Sequence, residues 1–200
     1  MLRRICLPLI GGVLLLAMSA TLVQAGDDEM VENPRYKYWA NFKKNATVVH
    51  VEKVMYNDDT KQLVPGGVAK KVITYKLVKV TPKAALVRTV VKEQDFLSTI
   101  QSAPTTIIYP AKVKKAYLAA LINEAGAKVK DIKVKYKGKE YPCKLLMGKT
   151  TSGEQEIEFK KWISTEVPGG IFKQVRVARQ GGEVQYEATI TVTKIVSGKE

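Results

Sequence analysis

Apolar and polar residues alternate with a period of two along several runs of the chain, and each run ends at a turn signal. The clearest runs cover residues 47–55, 72–80, 85–91, 131–147 and 156–192. This alternation places successive side chains on opposite faces of a β-strand, and the β-branched residues in these runs fit that surface. The pattern predicts about eight or nine antiparallel strands, arranged as one curled sheet or a half-open barrel.

The run 131–147 predicts a hairpin. With Gly138-Lys139 as a two-residue loop, Ile132 pairs with Leu145 and Val134 pairs with Cys143. Glycine at the first central position suits a type II′ turn. In this register Cys143 lies among apolar partners, so we interpret it as a small buried hydrophobic residue and not as a reactive thiol.

A second hairpin follows from Gly181-Gly182. Counting outward from this loop pairs Val177 with Tyr186 and Val175 with Ala188, while charged residues meet on the opposite face. The sheet is therefore expected to have one apolar face towards the core and one charged, threonine-rich face towards water.

Two segments predict helical structure, the first of them a short helix or turn. Asn33-Pro34 is typical of a helix start, because Asn caps and Pro suits the first turn. The aromatic residues after it suggest a plug at one end of the sheet. A longer amphipathic helix is predicted over Lys112–Ala125, where Val113, Tyr117 and Leu121 form an apolar stripe. The expected fold is mainly β, with this one amphipathic helix packed on or in the sheet.

The first 25 residues are expected to be a cleaved export signal and not part of the fold. A retained single-span anchor is the competing interpretation, but the apolar run is short for a bilayer of about 30 Å. Arg3 and Arg4 precede a short apolar run, and Val23-Gln24-Ala25 supplies a cleavage site. Residues 26–33 then read as a disordered acidic leader, and 34–200 as a single β-rich domain. Cys143 is the only cysteine after residue 25, so no internal disulfide is expected in the exported protein, whether periplasmic or secreted.

Lysine is concentrated between residues 112 and 149, where 11 lysines accompany 3 acidic residues. One hairpin is predicted to carry a lysine face, defined by Lys133, Lys135, Lys137 and Lys144. Such a face attracts an anionic polymer or membrane surface, although a charged strand also protects a sheet edge from aggregation. Nucleic acid is not favoured as a partner, because no aromatic side chains alternate with these lysines to stack on bases.

The sequence gives little support for a catalytic site or a metal site. His50 is the only histidine, and no nucleophile-elbow sequence is present. One His and one Cys cannot complete a tetrahedral metal site, and no phosphate-binding glycine-rich loop occurs. We expect neither an enzyme nor a cofactor.

Val-Pro-Gly-Gly occurs at residues 64–67 and 167–170, where Pro and Gly supply the backbone angles of a turn. Around the second copy, Trp-Ile-Ser-Thr-Glu-Val-Pro-Gly-Gly at residues 162–170 resembles a pattern of uncharacterised exported bacterial β-rich proteins. The resemblance implies no activity. The layout is also loosely similar to the half-barrel of periplasmic lipoprotein carriers, which implies hydrophobic-ligand binding at the level of architecture alone.

These observations favour an exported, non-enzymatic binding or envelope-associated module that holds a lipid, an acyl chain or a partner segment. Trp162, Tyr117 and Leu121 are its candidate apolar pocket. Adhesion to an anionic polymer or membrane surface through the lysine face is the alternative.

Overall fold

The computed structural model describes residues 29–56, 68–94, 99–117 and 127–198. Most of these residues are in antiparallel β-structure. The elements in chain order are β1 (Met30–Glu32), α1 (Pro34–Ala40), β2 (Thr47–Tyr56), β3 (Val68–Val80), β4 (Ala84–Gln94), β5 (Thr99–Gln101), β6 (Thr105–Pro110), β7 (Lys112–Lys114), β8 (Lys128–Tyr136), β9 (Lys139–Ser152), β10 (Gln155–Ile163), β11 (Ile171–Gln180) and β12 (Glu183–Val196).

A ten-stranded sheet contains all of these strands except β1 and β7, which pair with each other. Its order is β5-β4-β3-β2-β12-β11-β10-β9-β8, and β6 also pairs with β4. Neighbours along the chain are mostly neighbours in the sheet, because short turns join antiparallel strands. The sheet is not closed into a barrel, which confirms a mainly β fold with a curled antiparallel sheet.

Both predicted hairpins form, but the register of each differs from the predicted one. In the first, the turn is Lys137-Gly138, with φ of 49° and 81°, so Ile132 pairs with Cys143 and not with Leu145. Positive φ at both central residues is the type I′ geometry, which matches the twist of a hairpin better than a type I turn does. The shift is two residues, so Cys143 keeps its predicted face.

The second hairpin departs further from the prediction. Pairing follows the expected count at Arg179–Val184, but a bulge then shifts the register, and Val177 pairs with Glu187 in place of Tyr186. A shift of one residue turns every later side chain to the other face of the sheet. Val175 therefore lies opposite Thr189, and Arg176 lies opposite Ala188, on the face that was expected to be apolar.

Helix α1 is confirmed, and hydrogen bonds fix it to the sheet at both ends. The Asn33 side chain accepts a bond from the Arg35 N–H at 3.0 Å and donates one to the Pro110 carbonyl at 2.8 Å. Near the other end, the Gly169 N–H donates to the Tyr38 carbonyl at 3.2 Å. A seven-residue helix is too short to persist alone, so these contacts hold it.

The loop 164–170 forms a tight platform against α1. Val167 and Pro168 are fully buried, and Gly169 and Gly170 have φ of 78° and 81°, as the turn interpretation of Pro-Gly-Gly requires. A Cβ on Gly170 would lie 2.5 Å from the Tyr38 ring. Both glycines thus let the helix aromatics approach the loop backbone closely. The first Pro-Gly-Gly lies outside the described residues.

The buried core joins α1, this loop and the middle of the sheet. Trp39, which is 3% exposed, belongs to it, and Tyr36 and Phe42 pack against it, so the aromatic segment is part of the core. The other buried members are Ala46, Val48, Leu77, Ala85, Val87, Tyr141, Cys143, Val167, Phe172 and Val192.

The predicted helix Lys112–Ala125 is wrong at its start. Lys112–Lys114 is strand β7, paired with Met30–Glu32, and Val113 is buried there. Residues 115–117 are helical, and 118–126 lie outside the described residues. Met30–Glu32 was expected in a disordered leader but forms strand β1. The predicted export signal lies outside the described residues. No helix in the described ranges is long and apolar enough to cross a membrane.

Candidate functional site: a cleft between helix α1 and the sheet

A cleft of about 470 Å³ lies between α1, the loop 164–170 and the sheet. Its volume falls within the range of about 300–1,000 Å³ that is usual for small-molecule sites. Strands from both halves of the sheet contribute side chains to it. The apolar part of its wall consists of Trp39, Val48, Ile73, Leu146, Ile163, Ile171 and Ile190.

Strand alternation explains why these side chains converge. On β2, Val48 and His50 are buried and both line the cleft. Their cross-strand partners on β3 are Tyr75 and Ile73, which line it as well. Residues opposite each other in an antiparallel pair share one face of the sheet. The face that carries α1 is called the helix face below.

His50 is 6% exposed and lies in the wall of this cleft. Its Nε2 donates a hydrogen bond to the Ile171 carbonyl at 2.9 Å, since a carbonyl can only accept. Burial lowers the pKa of His50 below its ordinary value, and the carbonyl bond opposes this in part. The ring also makes an edge contact with Tyr75, at 5.6 Å between centroids. The imidazole is therefore a neutral, fixed part of the wall.

Two tyrosines and an arginine form the polar side of the cleft. Burial raises the pKa of both Tyr75 and Tyr109, so both phenols are protonated at neutral pH. Arg35, the second residue of α1, lines the same cleft, and its positive charge opposes the rise in both tyrosine pKa values. No carboxylate in the described part of the chain forms an ion pair with Arg35. Lys161, on β10, also belongs to the lining.

Glu52 lies next along β2 on the helix face, with 15% of its side chain exposed. Arg176 Nη2 approaches the Glu52 Oε1 to 3.2 Å, across the intervening strand β12. The Nε of Arg176 is buried without a partner. This pair neutralises the negative charge that Glu52 would otherwise place near the cleft.

Cys143 is buried within the core, as predicted, and does not line the cleft. Burial raises the pKa of its thiol, and a hydrogen bond with Ser164 opposes that rise. A protonated, inaccessible thiol is a poor nucleophile. Within the described ranges, no three His, Cys, Asp or Glu side chains are placed to hold a metal ion.

The predicted apolar pocket does not coincide with this cleft. Trp162 lies between Lys161 and Ile163, which both line the cleft, so strand alternation turns it to the opposite face. There it pairs with Leu145, and the Lys173 ammonium lies 5.2 Å from its ring centroid. Tyr117 is 56% exposed, and Leu121 lies outside the described residues.

The predicted lysine face is kept in part. Lys133 and Lys135 on β8 share a face with Lys144 on β9, whereas Lys137 occupies the turn with its ammonium 5.5 Å from the Tyr136 ring centroid. Lys133 lies 3.4 Å from Glu140, and Asp131 lies opposite Lys144. Acidic residues thus interrupt the face, and adhesion through it stays a prediction.

The helix start at Asn33-Pro34 could be predicted from the sequence, but the place of the neighbouring Arg35 in the cleft lining could not. It also placed Tyr75 on a strand without assigning it to a site. The missing information is the non-local contact between α1 and β6, which the Asn33–Pro110 bond establishes across 77 residues. Hydrophobic periodicity within either segment cannot indicate a contact between residues so far apart in the sequence.

Comparison with known proteins adds little. No protein-family model matches the chain, and no curated protein matches it. A solved Bacteroides fragilis structure, that of a protein with a YmcC-like fold whose export is inferred, aligns over 76% of this chain and 97% of its own. The sequence identity is 8% and the TM-score is 0.41, so the likeness carries no argument about function.

Proposed function

We propose that this protein is an exported, non-enzymatic binding module that holds the apolar chain of a small ligand in the cleft between α1 and the sheet. The observation that carries the proposal is the cleft itself, about 470 Å³ in volume with a wall of branched aliphatic and aromatic side chains. Burying apolar ligand surface there yields about 25 cal/mol per Å².

The chemistry of the lining supports binding over catalysis. No carboxylate belongs to the lining among the described residues, and the one histidine is engaged by the Ile171 carbonyl. Histidine and carboxylates are the side chains that most often serve as general acids and bases, so the engaged histidine and the carboxylate-free described lining favour binding. Export is supported by the pattern of residues 1–25, which has a basic start, an apolar run and a cleavage site.

The test is a titration of the purified protein with a fluorescent fatty acid, together with native mass spectrometry. We expect saturable binding of one ligand per chain. Ile73→Trp should lower the affinity at least about tenfold, because the larger side chain fills the cleft.

The matched control is Ile108→Trp, on β6, where the side chain is 63% exposed and outside the cleft. Its affinity should equal that of the unmodified protein. The proposal fails if neither method detects binding, or if both variants bind as well as the unmodified protein.

A further inference from the structure

We infer that the ligand of this cleft is a single-chain amphiphile with an oxyanion head group, and that Arg35 binds the head while the aliphatic wall holds the chain. The inference rests on the proposed function and adds the chemical class of the ligand.

The charges around the cleft point to an anion. Arg35 and Lys161 are the charged residues of its lining, and both are cationic. Within the described ranges no carboxylate is paired with Arg35. Glu52, the acidic residue further along β2, is already engaged by Arg176 at 3.2 Å. An unmatched guanidinium beside an apolar cavity is complementary to a negative head group with an apolar tail.

Hydrogen-bond donors accompany this charge. Tyr75 and Tyr109 line the same part of the cleft, and Arg35 acts electrostatically on both. A guanidinium presents two parallel N–H groups to a carboxylate or a phosphate, and a phenol can donate a further bond. Carboxylate and phosphate heads both satisfy this arrangement, whereas an alcohol head leaves the guanidinium unmatched.

The backbone of Arg35 is held at the start of α1, and its exposed side chain forms part of the cleft lining. Its backbone N–H donates to the Asn33 side chain, which is itself bound to the Pro110 carbonyl on β6. Tyr109 is the residue before Pro110, so helix start and tyrosine are held together by one short connection. Anchoring these elements reduces the backbone entropy that is lost on binding.

The experiment compares hexadecanoate, hexadecyl phosphate and hexadecanol, which share one chain length, by displacement of a fluorescent fatty acid at fixed ionic strength. We expect both anions to bind at least about tenfold more tightly than the alcohol. Arg35→Gln should remove this preference and leave the affinity for hexadecanol unchanged. The relative affinity of the two anions assigns the head as carboxylate or phosphate.

Lys37→Gln is the matched control, because Lys37 is on the same helix, carries the same charge, pairs with Glu32 and does not line the cleft. It should keep the preference for anions. If all three compounds bind equally, or if Lys37→Gln and Arg35→Gln act alike, the head-group inference is overturned while the proposed function stands. If none of the three binds, the proposed function fails with it.

Discussion

Gly170 combines two separate requirements at one residue. Its φ of 81° lies in the left-handed region, and an added Cβ would meet the Tyr38 ring at 2.5 Å. A substitution there therefore strains the backbone and also displaces an aromatic ring of α1. The docking of α1 on the loop 164–170 depends on this close approach.

Gly170→Ala is expected to destabilise the fold by about 2–4 kcal/mol, from the sum of backbone strain and overpacking. Gly138 is the matched control, because its φ is also 81° and nothing lies within 4 Å of the position that an added Cβ would take. Gly138→Ala should destabilise the fold through backbone strain alone, by about 1 kcal/mol. Urea unfolding of both variants measures the difference, and equal losses would show that the Tyr38 contact is unimportant.

The titration of His50 makes the stability of the fold depend on pH. Its pKa is lowered in the folded state, so between that pKa and about 6.5 the unfolded chain binds more protons than the folded one. Stability is thus complete above about pH 6.5 and falls as the pH drops through this window, by at most about 1.4 kcal/mol per pH unit.

His50→Gln should flatten this dependence, because the Gln amide can still donate to the Ile171 carbonyl but does not titrate. Urea unfolding at pH 5.5 and pH 7.5 provides the measurement. As the single histidine in the chain, His50 also gives one unambiguous imidazole signal in an NMR titration. A folded pKa at or above 6.5 would contradict the burial argument.

At the scale of elements, the pair Glu52–Arg176 ties β2 to β11 across β12. The Glu52 carboxylate is mostly buried, so removing its partner leaves a charge with little access to water. Arg176→Met is expected to cost about 1.5–3 kcal/mol, the usual range for a lost hydrogen bond to a charged group. Glu52→Gln combined with Arg176→Met should recover part of that loss.

A double-mutant cycle measured by urea unfolding gives the coupling energy of this pair. The comparison pair is Lys71–Glu93, whose side chains are 40% and 55% exposed at 2.8 Å. Its coupling should be below about 1 kcal/mol and should weaken with salt, because exposed pairs are screened. A coupling for Glu52–Arg176 no larger than this would show that burial adds nothing.

The strands themselves could be predicted from the sequence, because alternation and turn residues are local signals. Their register could not. The bulge that makes Val177 pair with Glu187 depends on how β12 also fits β2, and β12 has a second bulge against that strand near Val192. The position of such a bulge depends on both neighbouring strands, whereas the hairpin loop determines the pairing with only one of them.

The cleft beside α1 could not be predicted from the sequence, for a related reason. The stripe of Val113 and Tyr117 fits a helix, yet Lys112–Lys114 gains strand pairing with Met30–Glu32. Val113 is only 6% exposed in this strand, and its burial stabilises the strand pairing. Tertiary pairing therefore overrides the local preference at Lys112–Lys114, and the cleft that the structure shows lies beside the short helix α1.

At the scale of the whole molecule, the core links the edge of the sheet to its centre. Cys143 on β9 pairs with Ile132 on the edge strand β8, where local fraying would be easiest. It also belongs to the same buried cluster as Phe172, Val167 and Trp39. If this cluster acts as one unit, Cys143 becomes accessible only when the entire sheet unfolds.

Thiol labelling tests this cooperativity. In a Cys6→Ser chain Cys143 is the only thiol, and we expect it to react with a disulfide reagent only through unfolding, since it is 4% exposed. The free energy of opening from the labelling rate should equal the unfolding free energy from urea titration of tryptophan fluorescence. A markedly smaller opening energy would mean that the β8–β9 hairpin detaches by itself. Because α1 and the loop 164–170 share the cluster with Cys143, equality of the two energies would also mean that the cleft persists for as long as the sheet does.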